Sequence, residues 1–187
     1  MKRILFVVWE IGEVLFIALI AVAAIKYFLI QPFIVNGASM EPTFFDGDYL
    51  LVDELSYRFH EPARGDVVVF KAPQDTSLYY IKRIVGLPDE KIEVENDTVR
   101  IFNTQHPQGV ALDENYIPHG IRRDWAGHVT VVLGEGQYFV LGDNRLNSLD
   151  SRYWGPLEEG DIVGLVKIRL WPVSEVQLFG NLVAPSR

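Results

Sequence analysis

Cysteine is absent from the 187 residues. That excludes disulfides, thiolate metal sites and a cysteine nucleophile. A basic surplus is absent too: 17 Lys and Arg against 25 Asp and Glu leave a formal charge of −8. Nucleic acid is thereby excluded as a partner class, because neutralising phosphates requires a basic surface. Histidine is scarce. The four histidines are His60, His106, His119 and His128, and none pair at H-E-x-x-H or another compact ligand spacing, so no metal is expected. The same scarcity leaves Ser-His-Asp chemistry little to draw on. Internal repeats, low-complexity tracts and any sustained helical period after residue 32 are missing as well. The length suits one domain with a true core and a subsidiary lobe.

What the chain has in excess is apolar residues, 49% of the total, concentrated at the N-terminus. From Ile11 to Ile30 the residues are mostly apolar, with Glu13 and Lys26 near the two ends. About 20 such residues cross a bilayer core, so residues 11–30 are expected to form one transmembrane helix after a short segment 1–10. Lys26 sits where its stem can snorkel toward the headgroups. Lys2 and Arg3 precede the span, and the first charges after it are Glu41, Asp46 and Asp48. The positive-inside bias puts the N-terminus in the cytoplasm and the folded domain on the other side of the cell membrane. Ala21-Val22-Ala23 also offers a cleaved-signal reading. Against it, the apolar run continues through Ile30 without a polar break, and Glu10 and Glu13 interrupt the region that a signal keeps apolar. A surface-lying helix is disfavoured because the run is apolar all round.

Beyond Pro32, read as the end of the helix, the pattern changes to short β-like runs between turn residues. Tyr49–Val52, Asp66–Phe70, Tyr79–Val85 and Ile162–Trp171 read as strands. Lys91–Val94 and Val99–Phe102 flank Asn96-Asp97 as a hairpin, and Val129–Leu133 with Tyr138–Leu141 reads as a second hairpin across Gly134–Gln137. Residues 103–128 are less regular and read as an insertion or lobe with loop character. The expected class is mostly β: a folded antiparallel β-barrel or sandwich over 31–102 and 129–178, behind one transmembrane helix, with a tail at 179–187.

Three stretches carry candidate chemistry. Ser39, in Asn36-Gly37-Ala38-Ser39-Met40-Glu41-Pro42-Thr43, reads first as turn chemistry. It would be held near the bilayer, and Gly37 and Ala38 leave room for another backbone to approach. Lys82 lies in Tyr80-Ile81-Lys82-Arg83-Ile84-Val85. Alternation puts Lys82 and Arg83 on opposite faces, both with apolar neighbours, so one cation is pressed into an apolar setting. A buried lysine has a lowered pKa, and a neutral amine is the base available to a serine when histidine is missing. Gly142 to Arg152 is a polar loop after an apolar strand. It reads either as a solvated loop with one Asp-Arg pair or as support that holds the lysine in place.

Together, in this order and behind an N-terminal anchor, these stretches resemble the bacterial type I signal peptidases, membrane-bound Ser-Lys proteases that cleave signal peptides from exported proteins. The S-M-x-P-T motif stands here at Ser39 to Thr43, G-D at Gly47-Asp48, and R-G-D-V-V-V-F at Arg64 to Phe70. Y-I-K-R-x-V-G-x-P stands at Tyr80 to Pro88, and G-D-N-x-x-x-S-x-D-S-R at Gly142 to Arg152. The resemblance implies Ser39 as nucleophile, Lys82 as general base, Ser148 as the hydroxyl that orients the lysine, and Asp150 with Arg152 as a supporting ion pair. It implies no cofactor. The single span is similar to the Gram-positive form. One departure concerns the oxyanion hole: where some members carry a serine, this chain has Gly37, leaving backbone N–H groups near Gly37 and Ser39 for that role.

The resemblance further implies preprotein signal peptides as substrates and membrane lipid as a surrounding partner. Cleavage is expected after small residues in an A-x-A pattern. The implied pockets are shallow and lined by Phe33, Val35, Met40, Tyr80 and Ile81, with the substrate lying as an extended strand against residues 79–82. Met40, Phe44 and Phe45 are placed to dip into the membrane interface. Two other readings remain at this point: a self-cleaving Ser-Lys protease of the repressor type, and a non-catalytic β domain tethered to a membrane.

Overall fold

Branched and aromatic runs bounded by Gly, Asp and Pro do become strands. The computed structural model describes residues 7, 9–20, 30–96, 98–117 and 127–179. Its strands, in chain order, are β1 (Ile30–Ile34), β2 (Tyr49–Asp53), β3 (Val67–Ala72), β4 (Asp75–Gly86), β5 (Lys91–Glu95), β6 (Thr98–Phe102), β7 (Val110–Ala111), β8 (His128–Val132), β9 (Gln137–Leu141), β10 (Leu157–Glu158), β11 (Ile162–Trp171) and β12 (Gln177–Leu178). Residues 9–20 are helical, α1, and Ser151–Trp154 form one helical turn, α2. Every pairing among the described strands is antiparallel. The larger sheet runs β1-β2-β11-β3-β4-β9-β10 with β12 beside β11, and the smaller runs β7-β6-β5-β8. The mostly β, antiparallel class is as expected. Among the described residues no pairing closes the larger sheet into a barrel.

The run Val67-Val68-Val69-Phe70 is apolar at every position because β3 is covered on both faces. Val67 and Val69 face one core cluster, with Met40, Phe44, Leu50, Val52 and Val166. Val68 and Phe70 face another, with Ile84, Tyr138, Val140 and Leu157. Burying each such side chain contributes about 1.5–3 kcal/mol. A third cluster joins the sheets: Val85, Phe139 and Leu141 of the larger pack on Ile92, Val94 and Ile101 of the smaller. Lys82 rides on β4, at the centre of this arrangement, and Ser39 on the loop between β1 and β2.

Several expectations are corrected. β8 and β9 are not a hairpin. β8 pairs with β5 and β9 with β4, so Gly134–Gly136 carries the chain from one sheet to the other. A glycine-containing turn permits either outcome, and the burial partners of the flanking strands decide it. The smaller sheet includes strands from both sides of residue 103, and residues 110–111 within the expected insertion pair with β6. Residues 118–126 lie outside the described residues. Pro32 sits inside β1, opposite Leu51, where an edge strand tolerates a missing donor. Met40 and Phe44 are fully buried and do not reach a membrane; Phe45 alone of the three is exposed. Phe179, assigned to the tail, packs into the core against Phe44 with ring centroids 4.7 Å apart; residues 180–187 lie outside the described residues.

Of the expected span 11–30, residues 11–20 belong to α1, 21–29 lie outside the described residues, and Ile30 opens β1. No helix among the described residues is long and apolar enough to cross a membrane.

Phe44 locks the loop that carries Ser39 onto the core, between Phe179 and the Arg169 guanidinium. Phe44→Ala should lower the unfolding free energy by about 3–5 kcal/mol, read from the midpoint of urea unfolding in detergent.

Candidate active site

The Ser39 loop is fixed from below. At its base Val35 N–H donates to the Asp48 carbonyl and Gly47 N–H to that of Val35, both at 2.9 Å. Inside the loop Phe44 N–H donates to the Met40 carbonyl at 2.9 Å, while the Met40 and Phe44 side chains fill the core beneath it. Ser39 is thus held half-buried above β4.

Lys82 lies opposite Val68 in the β3–β4 ladder. Its ammonium donates to Ser39 Oγ at 2.8 Å and to the Ile81 carbonyl at 2.8 Å. The residue is 4% exposed. Burial lowers its pKa from 10.5 to about 8, against the opposing pull of the Asp150 and Asp143 charges. Among the described residues Nζ forms no ion pair. Its neighbour Arg83 is also buried, but its guanidinium is matched by Asp143 through Nε at 2.9 Å and Nη2 at 2.7 Å. The sequence leads one to expect a single cation in an apolar setting. Both are buried, and only Arg83 has a carboxylate, so the pressure toward a neutral amine falls on Lys82.

The loop from Gly142 to Arg152 wraps this pair. Asp143 accepts from Arg83 and from the Thr43 hydroxyl at 2.5 Å, tying the loop to both β4 and the Ser39 segment. Asn144 donates from its N–H to the Ser39 carbonyl and from Nδ2 to the Ala38 carbonyl, each at 3.0 Å. Arg152 chelates Asp150 through Nε and Nη2 at 2.8 Å. Asp150 also accepts from Gly142 N–H at 3.1 Å. Ser148 is buried beside Gly142, yet its hydroxyl has no hydrogen bond among the described residues. The orienting contact expected from Ser148 to Lys82 is therefore not formed in this structure, and the Ile81 carbonyl holds the amine instead.

A family model described as signal peptidase, peptidase S26, matches residues 8–171. The chain belongs to that family. A probable signal peptidase I-2 of Synechocystis is 36% identical over 175 residues, covering 90% of this chain and 76% of that protein. A signal peptidase IB of Staphylococcus aureus is 33% identical over 174 residues, covering 85% of this chain and 87% of that protein. A crystal structure of a signal peptidase I from Enterococcus faecalis aligns at 32% identity with a TM-score of 0.48, covering 57% of this chain and 97% of that one. The resemblance read from the motifs is borne out at the level of the family, and the chain is, with that family, a serine endopeptidase. The repressor-type and non-catalytic readings are set aside.

Within this family setting, two expectations about neighbouring residues change. Gly37 N–H donates to Asp46 Oδ1 at 2.7 Å, so it is committed away from Ser39 and does not serve as an oxyanion donor. Gly37 has φ of +88°, which disfavours any side chain there. Of the expected pocket residues, Val35 and Met40 belong to the core, while Phe33, Tyr80 and Ile81 keep partial exposure.

Other residues escaped the sequence reading. Arg145 donates Nε to the Gly142 carbonyl at 2.9 Å and pairs with Glu114. Tyr116 stacks on the Arg83 guanidinium, centroid 4.1 Å away, and donates its hydroxyl to Glu114 at 2.8 Å. The irregular segment thus braces the back of the site. A charged residue inside an apolar strand, such as Arg83, does signal a buried partner. Nothing local marks Glu114 or Tyr116.

Gly142 is needed for closeness. A Cβ there would meet the Ser148 hydroxyl and lie 2.5 Å from the Ser39 carbonyl oxygen. Gly142→Ala should lower cleavage by about a hundredfold, the cost of displacing a reacting group by about an ångström, while circular dichroism retains the β signature. Cleavage at the wild-type rate would show that Ser39 needs no such approach.

Proposed function

We propose that the protein is a membrane-anchored endopeptidase that removes N-terminal signal peptides from exported preproteins after small residues, with Ser39 as nucleophile and Lys82 as general base. The observation that carries this reading is the 2.8 Å contact between a buried, unpaired lysine and a half-buried serine, with no histidine in contact with either among the described residues.

In the proposed cycle neutral Lys82 Nζ takes the Ser39 hydroxyl proton as Oγ bonds to the scissile carbonyl carbon, and the carbonyl electron pair moves to its oxygen. As that tetrahedral species collapses the C–N bond breaks, and the Lys82 ammonium gives its proton to the departing amine. The neutral lysine then takes a proton from water as it attacks the acyl-enzyme, and returns it to Oγ when the ester bond breaks.

Substrate binding as a strand is supported by an unused edge. Tyr79 to Lys82 pair with β3 on one side, and β9 joins β4 only from Arg83 onward. Among the described residues β1 likewise pairs with β2 alone. The Phe33 and Tyr79 rings meet at 5.4 Å between the two edges. An extended peptide laid there gains backbone hydrogen bonds, and side chains from Phe33, Tyr80 and Ile81 limit what fits beside it. Anchoring is supported by α1: from Val14 to Ile20 its residues are all apolar, and every described one is exposed, as suits contact with lipid. The charge asymmetry about the span then sets the N-terminus in the cytoplasm and the β domain outside.

Ser39→Ala and Lys82→Met should each reduce cleavage of a model preprotein in detergent to background. Lys82→Met should melt no lower than wild type at pH 7, where burial of the ammonium opposes folding. Full activity in either variant would sink the dyad. For wild type, kcat/KM should rise with pH and level off above about 8, because only the neutral amine accepts the proton; a profile flat from pH 6 to 9 would exclude Lys82 as the base. Leucine in place of alanine at the first or third position before the cut should abolish cleavage, and unchanged rates would refute small pockets.

A further inference from the structure

Among the described residues the Ser39 side chain hydrogen-bonds to Lys82 alone, and the peptide groups on either side of it are gripped by one residue, 105 positions later in the chain. Asn144 Nδ2 donates to the Ala38 carbonyl at 3.0 Å, and Asn144 N–H donates to the Ser39 carbonyl at 3.0 Å. The Ala38 carbonyl also accepts from Glu41 N–H at 3.2 Å. A trans peptide is planar, with its N–H antiparallel to its C=O. Fixing the Ala38 carbonyl therefore fixes the direction of the Ser39 N–H, which points away from the Asn144 loop. No acceptor for the Ser39 N–H is found among the described residues. It is a spare donor on the residue whose Oγ would attack. The Gly37 N–H is taken by Asp46, and position 37 carries no hydroxyl.

We propose that Asn144 is a positioning residue for transition-state stabilisation: by holding the two peptide groups that flank Ser39, it aims the Ser39 N–H at the oxygen on which negative charge develops. The inference rests on Ser39 being the nucleophile. An oxyanion donor is effective only when its direction is set before charge appears. With the neighbouring N–H committed and no side-chain donor at position 37, that direction depends on the Ala38–Ser39 peptide plane. Asn144 suits the task because its side chain and its backbone reach successive carbonyls. The loop bearing it is itself anchored through Asp143 to Arg83 and Thr43, so the grip is stiff.

The test uses the full chain in detergent with a signal-peptide substrate and three variants, Asn144→Leu (similar shape, no donor), Asn144→Ala and Asn144→Ser. Each should lose kcat by about tenfold to a hundredfold, somewhat less than the hundredfold to thousandfold that removal of an oxyanion donor costs. KM should stay within about twofold and the midpoint of the pH profile should not move, since Lys82 is untouched. A peptide aldehyde adds the Ser39 O–H across its carbonyl to form a tetrahedral adduct. Its affinity should fall by the same factor as kcat/KM, as a transition-state mimic requires. Unchanged kcat, a loss carried by KM, a moved pH midpoint or an unchanged aldehyde affinity would each overturn the proposal. So would loss of the folding transition in all three variants, which would make Asn144 a scaffold residue. Ser39→Ala is measured alongside. A dead Ser39→Ala with fully active Asn144 variants removes only this inference, whereas an active Ser39→Ala removes the dyad reading beneath it.

Discussion

A lysine side chain buried without a carboxylate to neutralise it is an unfavourable arrangement, and much of this protein can be understood as the means of enforcing it. Lys82 sits on a strand whose neighbour β3 is covered on both faces, and only 4% of the residue is exposed to solvent. The two negative groups that influence it, Asp150 and Asp143, are each saturated by an arginine: Arg152 and Arg83. Their charge raises the lysine pKa less than burial lowers it. Had either carboxylate been free to reach Nζ, the ammonium would be stabilised and the amine would be no base near neutral pH.

The arginine pairs therefore do more than fill space. Buried ion pairs contribute little to net stability, but losing one partner is costly, so they specify geometry. Here they specify how the loop from Gly142 to Arg152 lies. Asp143 ties it to β4 and to Thr43, Arg145 ties it to Glu114, and Arg152 folds back on Asp150 and the Arg145 carbonyl. The result is a stiff rim along the Ser39 backbone. Glycine at 142 allows contact at main-chain distance, and Asn144 makes the only side-chain grip on that backbone found among the described residues. The serine itself is placed from the other direction, by Met40 and Phe44 buried in the core.

Much of this was legible in the sequence. The two-sided burial of β3 is written in four consecutive apolar residues, and β4 in the β-branched and aromatic run around Lys82 and Arg83. Ser39, Lys82 and the Gly142–Arg152 loop stand out by residue type and by motif. Less legible were contacts that depend on which strands become neighbours. The turn at Gly134–Gly136 reads as a hairpin locally but crosses between sheets. Glu114 and Tyr116 lie in an irregular stretch with no periodicity, and only the pairing of β7 with β6 brings that stretch to the back of the site. Met40 and Phe44 follow the apolar N-terminal run and so read as surface residues near a membrane, whereas the core draws them in.

The sequence by itself determined the β class, the family, and the absence of cysteine and of clustered histidine, which is why lysine is the base proposed. Those properties follow from residue types and short-range spacing, which survive in one dimension. The tertiary structure decided that Lys82 rather than Arg83 goes without a carboxylate, that the Gly37 N–H is committed elsewhere, and that Asn144 reaches the peptides around Ser39. Each of these is a question of which polar group finds which partner once both are removed from water, and distant segments settle it only when the sheets assemble.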